Sequence, residues 1–317
     1  MPGEPDDISG NLIKITDAPT YPVNGKLYIT SILVTNPDAP VFGAETIFNW
    51  MLGSNVVLPR EAVYPNKISP SQVESESAGE MKSSQSSATA AALRYLGYKV
   101  DEIYFVSSIR SYSKANKKLE DLDQIISIDG KVIKNVDEIR ASYANKKVGD
   151  TISITIERDD SDGNPIQKTF AIELVASQEP NAMQSPGEKP AIGILVGTAG
   201  KFPVDVNFNI EDVGGPSAGM IFAIGIVEKM TKEDLLRGRK VAGTGTISAN
   251  GKVGGIGGIQ EKLIGASRKG VSLFLAPKAN CPDITQVPKG MKVVPVTTLN
   301  EAISILRAPE NSKFPSC

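Results

Sequence analysis

The stretch Gly214-Gly215-Pro216-Ser217-Ala218-Gly219, running on into Met220-Ile221-Phe222-Ala223-Ile224-Gly225-Ile226-Val227, decides how this chain is read. Paired glycines let the backbone turn sharply, and proline suits the first turn of a helix. The apolar run behind them predicts a buried helix over Ser217 to Met230. Ser217 then stands at the helix N-terminus, among N–H groups without intrahelical partners and at the positive end of the dipole. Such a setting can stabilise an oxyanion. Taken alone, the same serine reads better as an ordinary N-cap.

The chain of 317 residues contains no histidine. A Ser-His-Asp triad is therefore excluded, and a serine nucleophile needs another base, for which lysine is the known substitute. Lys262 lies 45 residues beyond Ser217, in Gly257-Gly258-Ile259-Gln260-Glu261-Lys262-Leu263. At 100° per residue Ile259, Leu263 and Ala266 share a helical face, with Lys262 on its edge. Desolvation there disfavours the ammonium, and a neutral amine can take the serine proton. The competing reading is a lysine snorkelling from the rim of an amphipathic helix.

Composition sets outer limits. Apolar residues make up 40% and charged residues 22%, with a net charge of −2. Those values suit a globular chain of two domains and give no reason to expect nucleic-acid binding. The longest strongly apolar run, Met220 to Val227, falls short of the ~20 residues that span a bilayer. Cys281 and Cys317 are the two cysteines. They read either as unrelated thiols or as one disulfide pinning the C-terminal tail, which would place the protein outside the reducing cytosol. No metal site is expected, because two cysteines without histidine do not make one.

Strands are predicted over Leu27 to Thr35, 191–196, 204–210, Lys240 to Ser248, Leu273 to Ala276 and Lys292 to Pro295. Helices are predicted over Thr46 to Leu52, Ile259 to Lys269 and Leu299 to Arg307. The Ser/Ala-rich stretch 68–96 reads as a helix closing at Gly97, with a linker as the other option. Between 98 and 175 lie four strand candidates, a tight turn at Asp129-Gly130 and a short helix from Val136 to Tyr143 with Asn135 as cap. The acidic loop 159–165 lacks the glutamate spacing of an EF-hand and reads as a plain loop. Residues 177–190 read as a hinge-like linker.

Two resemblances follow. Leu119-Glu-Asp-Leu-Asp-Gln-Ile-Ile-Ser-Ile-Asp-Gly130, with Gly149 and Thr151 to Arg158, resembles PDZ domains, except that Leu122-Asp123 stands where the family has Gly-Asp. PDZ domains bind extended peptides at a sheet edge. The resemblance points to Leu96, Gly97 and Tyr98 as a peptide carboxylate loop, although Gly97 equally suits a helix C-cap. Gly215-Pro-Ser-Ala-Gly219, Gly243-Thr244-Gly245-Thr-Ile247 and Gly257 to Leu263 resemble the proteolytic domain of Lon proteases. That implies Ser217 as nucleophile, Lys262 as general base and Thr244 as the threonine bonded to the lysine, with Gly214, Gly215 and Ala218 forming the nucleophile and oxyanion loop. Gly214 departs from ATP-dependent relatives, which commonly carry Asp there.

The order of modules resembles the ATP-independent, membrane-anchored Lon-like PDZ proteases of Gram-positive bacteria, particularly actinobacteria. The fold class expected is α+β, a Lon-type proteolytic domain with a β-rich PDZ domain inserted into it or preceding it. The expected bounds are 1–95 for an N-terminal segment packing on the catalytic sheet, 96–178 for the PDZ domain and 186–310 for the proteolytic domain. The implied function is a Ser-Lys endopeptidase acting on unfolded or flexible protein, without cofactors. Implied partners are protein or peptide substrates, a PDZ ligand and a hexameric ring of identical chains. An N-terminal transmembrane helix ahead of Met1 would set the protein on the extracytoplasmic face. No Gly-Lys pair sits in a P-loop. The alternative is a peptide-binding scaffold that keeps the fold without catalysis.

Overall fold

A computed structural model describes residues 1–35, 43, 70–134, 136–160, 163–177, 189–210, 214–309 and 312–317. The expected helix at Thr46 to Leu52, the Asn135 cap and most of the 177–190 linker lie outside these residues. In chain order the elements are β1 (Asp6–Asp7), β2 (Ile13–Thr16), β3 (Lys26–Ile29), α1 (Pro70–Tyr95), β4 (Asp101–Ile109), β5 (Gln124–Ile128), β6 (Lys131–Val132), α2 (Val136–Tyr143), β7 (Thr151–Asp159) and β8 (Pro165–Glu173). There follow β9 (Val175–Ala176), β10 (Pro190–Ala191), β11 (Ile194–Lys201), β12 (Asp205–Phe208), α3 (Gly219–Met230), β13 (Lys240–Gly243), β14 (Thr246–Ile247) and β15 (Val253–Gly254). Last come α4 (Ile259–Arg268), β16 (Leu273–Pro277), a 3₁₀ turn (Lys278–Asp283), β17 (Lys292–Val296) and α5 (Leu299–Arg307).

The chain divides into two compact units. Unit 1 combines Met1–Val100 with Phe202–Cys317, and unit 2 is Asp101–Lys201. Unit 1 is built on a sheet ordered β1-β3-β13-β16-β17. The pairs β3–β13, β13–β16 and β16–β17 are parallel. Both faces of this sheet are covered, as parallel sheets require. Strand alternation assigns each side chain to a face. Leu27, Ile29, Val241, Leu273, Leu275, Val294 and Val296 join α3, α5 and the alanines of α1 in one core. Tyr28, Ala242, Phe274, Ala276 and Val293 join Ile259, Leu263 and Ala266 of α4 in the other. Helix α3 is buried from Gly219 through Glu228, in keeping with its apolar sequence.

Unit 2 is a β-rich body with sheet order β11-β4-β5-β7-β8, β6 pairing with β5. Its core gathers Tyr104, Val106, Ile125, Ile128, Ile139, Ile152, Ile154 and Ile172. Asp129 and Gly130 both take positive φ, the signature of a two-residue hairpin turn. Leu122, where the family glycine is missing, sits at φ +73° with its side chain exposed. Arg158 is held by Asp123 and Glu120.

Three expectations are corrected here. The stretch 191–196 was read as the first strand of the proteolytic domain and 178 as the end of the PDZ module. Instead β11 pairs antiparallel with β4 along its whole length, from Ile194↔Ile109 to Lys201↔Asp101, so unit 2 extends to Lys201. Second, Leu27 to Thr35 is not one strand: β3 ends at Ile29, the last residue in register with β13. Likewise Lys240 to Ser248 is broken after Gly243, at Gly245 with φ +150°. Among the described residues no helix is long and apolar enough to cross a membrane. Cys281 and Cys317 form a disulfide that ties the C-terminal residue to the 3₁₀ turn after β16.

Candidate active site

Ser217 sits in the turn that enters α3, one residue before the Ala218 cap. Gly215 takes φ +80°, a conformation that disfavours a side chain. Helix α1 holds this turn from one side. The Gly215 N–H donates to the Ser77 carbonyl at 3.1 Å, and Ser84 Oγ donates to the Pro216 carbonyl at 3.0 Å. A Cβ on Gly214 would run into Ser77 Oγ, and one on Gly219 would meet Ser84 Oγ at 2.8 Å. From the other side, Gly245 N–H and Thr244 Oγ1 both donate to the Ser217 carbonyl, at 2.7 and 3.0 Å. The turn is thus braced through the backbone of three successive residues, Gly215, Pro216 and Ser217, and none of these bonds engages the Ser217 hydroxyl.

Lys262 comes from α4, whose first turn is entered through Gly258 at φ +67°. It is only 2% exposed. Its Nζ donates to Ser217 Oγ at 2.9 Å and to the Thr30 carbonyl at 2.8 Å. Burial pushes the ammonium pKa down to about 8, because desolvation penalises the charged form. Thr30 is itself buried, and its Oγ1 donates to the Gly243 carbonyl at 3.1 Å. A partly deprotonated amine against a serine hydroxyl at a helix N-terminus can move a proton from oxygen to nitrogen and back.

Residues 211–307 match the model of the Lon protease (S16) C-terminal proteolytic domain, and residues 83–166 match that of the PDZ domain. Unit 1 carries a Lon-type proteolytic domain. Curated relatives agree over the same region. The chain is 39% identical over 100 residues to a Lon protease of Neorickettsia sennetsu, a match covering 30% of this chain and 12% of that protein. It is 44% identical over 75 residues to a Lon protease of Roseiflexus castenholzii, covering 24% and 9%. The chain therefore spans about an eighth or less of the length of these relatives. Among solved structures, it is similar to the PDZ domain of an SdrC-like protein from Listeria innocua, at 27% identity and TM-score 0.24, covering 30% of this chain and 92% of that one.

Within the Lon-type domain the structure brings together Gly214, Gly215, Ser217, Ala218, Thr244 and Lys262. One detail differs from the resemblance. Thr244 is fully buried beside the site, but its hydroxyl bonds the Ser217 carbonyl rather than Lys262, whose second partner is Thr30. Leu96, Gly97 and Tyr98 are not brought into a peptide loop. Their N–H groups donate to Ala92, Arg94 and Leu93 carbonyls, and Gly97 has φ +87°: they cap α1 within unit 1 and leave no backbone N–H for a carboxylate. Sequence reasoning missed Thr30, Ser77 and Ser84. Ser77 and Ser84 are seven residues apart on a predicted helix, which places them on one face; Thr30 acts through its backbone and leaves no such mark.

Proposed function

We propose that this protein is a serine endopeptidase in which Ser217 is the nucleophile and Lys262 the general base. The observation that carries this reading is the 2.9 Å contact between Ser217 Oγ and a buried lysine amine, in a chain without histidine. In the neutral form Lys262 takes the Ser217 proton as Oγ attacks a peptide carbonyl. The oxyanion forms beside the N–H groups at the start of α3, where Ala218 and the helix dipole stabilise it. The ammonium of Lys262 then returns the proton to the leaving amine, leaving an acyl ester on Ser217. Water, deprotonated by Lys262, releases the product acid and regenerates the hydroxyl. Thr244 and Gly245 hold the Ser217 carbonyl, so the nucleophile keeps its place through both halves.

Attack by Ser217 needs a peptide bond free of native structure at the start of α3, which favours flexible or unfolded segments as substrates. Peptide docking belongs to unit 2. There β11 is an edge strand whose Ile194 and Val196, like Val136 and Tyr143 of α2, are half-buried against the core. An extended peptide added along β11 would have backbone partners and an apolar seam. The Cys281–Cys317 disulfide supports an oxidising compartment, consistent with an extracytoplasmic location.

Casein or a fluorogenic peptide incubated with wild type and with Ser217→Ala tests the reading. Cleavage by wild type and its loss in the variant are expected, together with covalent capture of Ser217 by a phosphonofluoridate. Equal cleavage by both proteins would defeat the assignment.

A further inference from the structure

Lys262 Nζ has two hydrogen-bond partners, and their chemistry differs. Ser217 Oγ is a hydroxyl that can donate or accept, whereas the Thr30 oxygen is a carbonyl that can only accept. A neutral amine carries two N–H bonds and one lone pair. To act as base it must present the lone pair to the Ser217 O–H and send an N–H elsewhere. An obligate acceptor at 2.8 Å enforces that polarity, since it cannot compete for the lone pair. A hydroxyl in its place would leave both orientations open.

The Thr30 carbonyl is aimed by its own side chain. The parallel ladder between β3 and β13 ends at Ile29↔Gly243. Thr30 lies one residue beyond, where the β13 ladder no longer holds the backbone, while on the opposite edge the Gly3 N–H donates to the next carbonyl, that of Ser31, at 3.1 Å. There its Oγ1 reaches across to the Gly243 carbonyl at 3.1 Å, in place of a ladder bond. The residue is 5% exposed, and its β-branch restricts χ1. Thr30 also lies outside residues 211–307, the part matching the Lon-type domain.

We propose that Thr30 is the positioning residue of the general base: its carbonyl orients Lys262, and its hydroxyl, anchored on Gly243, holds that carbonyl in place. The proposal rests on the Ser-Lys reading above. It makes the N-terminal strand part of the catalytic apparatus, with Thr244 assigned to the nucleophile's backbone instead.

The full chain carrying Thr30→Val or Thr30→Ser tests it, with kcat and KM on a fluorogenic peptide, the pH dependence of Ser217 labelling by a phosphonofluoridate, and the melting temperature. Thr30→Val is expected to lower kcat by ~10-fold or more per labelled site, with KM within about twofold, since misaligning a base by a fraction of an ångström affects chemistry more than binding. Its labelling midpoint moves to lower pH, because the carbonyl stabilises the ammonium and its displacement lowers the amine's proton affinity. Thr30→Ser restores both. A backbone ester between positions 30 and 31, which weakens the carbonyl as acceptor and spares the side chain, is expected to move the midpoint the same way. Wild-type kcat and midpoint in Thr30→Val, or a lower melting temperature with unchanged kcat per labelled site, overturns the proposal and leaves the Ser-Lys reading standing. A wild type that neither cleaves nor labels overturns both.

Discussion

Lys262 is an ammonium-bearing side chain that is almost wholly buried, and that placement has opposite consequences for chemistry and stability. As a base it must be neutral, so activity should rise with pH through an apparent pKa of about 8, well below the 10.5 of a free lysine. A pH–rate profile of kcat/KM, or of Ser217 labelling, measures this; a midpoint near 10.5 would contradict a desolvated base. Stability follows from the same shift. Below pH 8 folded and unfolded chains both bind the proton, and the desolvation cost is fully present. Between 8 and 10.5 the unfolded chain binds more protons, so stability rises with pH. Glu228, raised to about 6 by burial, titrates outside that window. Lys262→Met should therefore abolish activity yet stabilise the fold at pH 7 by ~1–3 kcal/mol, read by denaturant unfolding. The Ser217–Lys262 contact was legible in the sequence because each residue sits in or beside a distinctive glycine-rich run. Thr30 was not, since a backbone carbonyl has no residue code, and Gly97 was ambiguous because one left-handed glycine serves a helix cap and a carboxylate loop alike.

Helix α1 shows how an element of plain composition supports the site. Its serines and alanines are small, which lets it lie close to α3 and the nucleophile turn. Ser77 and Ser84 then meet Gly215 and Pro216 from one face. The sequence read correctly as helix here through its alanines, but the purpose of its serines was hidden because their partners are more than 130 residues away. Ser84→Ala removes the shorter of two donors to the Pro216 carbonyl and leaves it only the Gly219 N–H at 3.4 Å, at a cost of ~1 kcal/mol. The turn loosens where Ser217 is held, so the expected outcome is a kcat lower by several-fold with KM little changed. Melting temperature and labelling rate, measured together, separate the two effects. Strand ends were the least legible elements. β3 and β13 both stop earlier than their β-branched sequences suggest: the Thr30 hydroxyl bonds the Gly243 carbonyl past the end of β3, and Gly245, at φ +150°, breaks the strand after β13.

At the scale of the molecule, the dyad and its supports all belong to unit 1: Thr30, Ser84, Ser217, Thr244 and Lys262 come from residues 1–100 and 202–317. Unit 2 interrupts that unit in sequence and closes on itself. Its first and last residues, Asp101 and Lys201, are register partners on β4 and β11, so its two ends lie ~5 Å apart. Val100, just before it, and Val204, just after it, are buried in one small cluster of unit 1 with Ala90 and Leu93. Replacing residues 101–201 by two or three glycines therefore bridges a gap the chain can span without strain. Such a shortened protein should fold, label at Ser217 at a rate within a few-fold of wild type, and keep the pH midpoint near 8, because Lys262 Nζ takes both its hydrogen-bond partners, Ser217 Oγ and the Thr30 carbonyl, from unit 1. Any response of the full chain to an added peptide should vanish with unit 2. A shortened chain that is soluble and cooperative in melting but no longer labels would mean that unit 2 supplies something the dyad requires, and the division of labour between the two units would have to be redrawn.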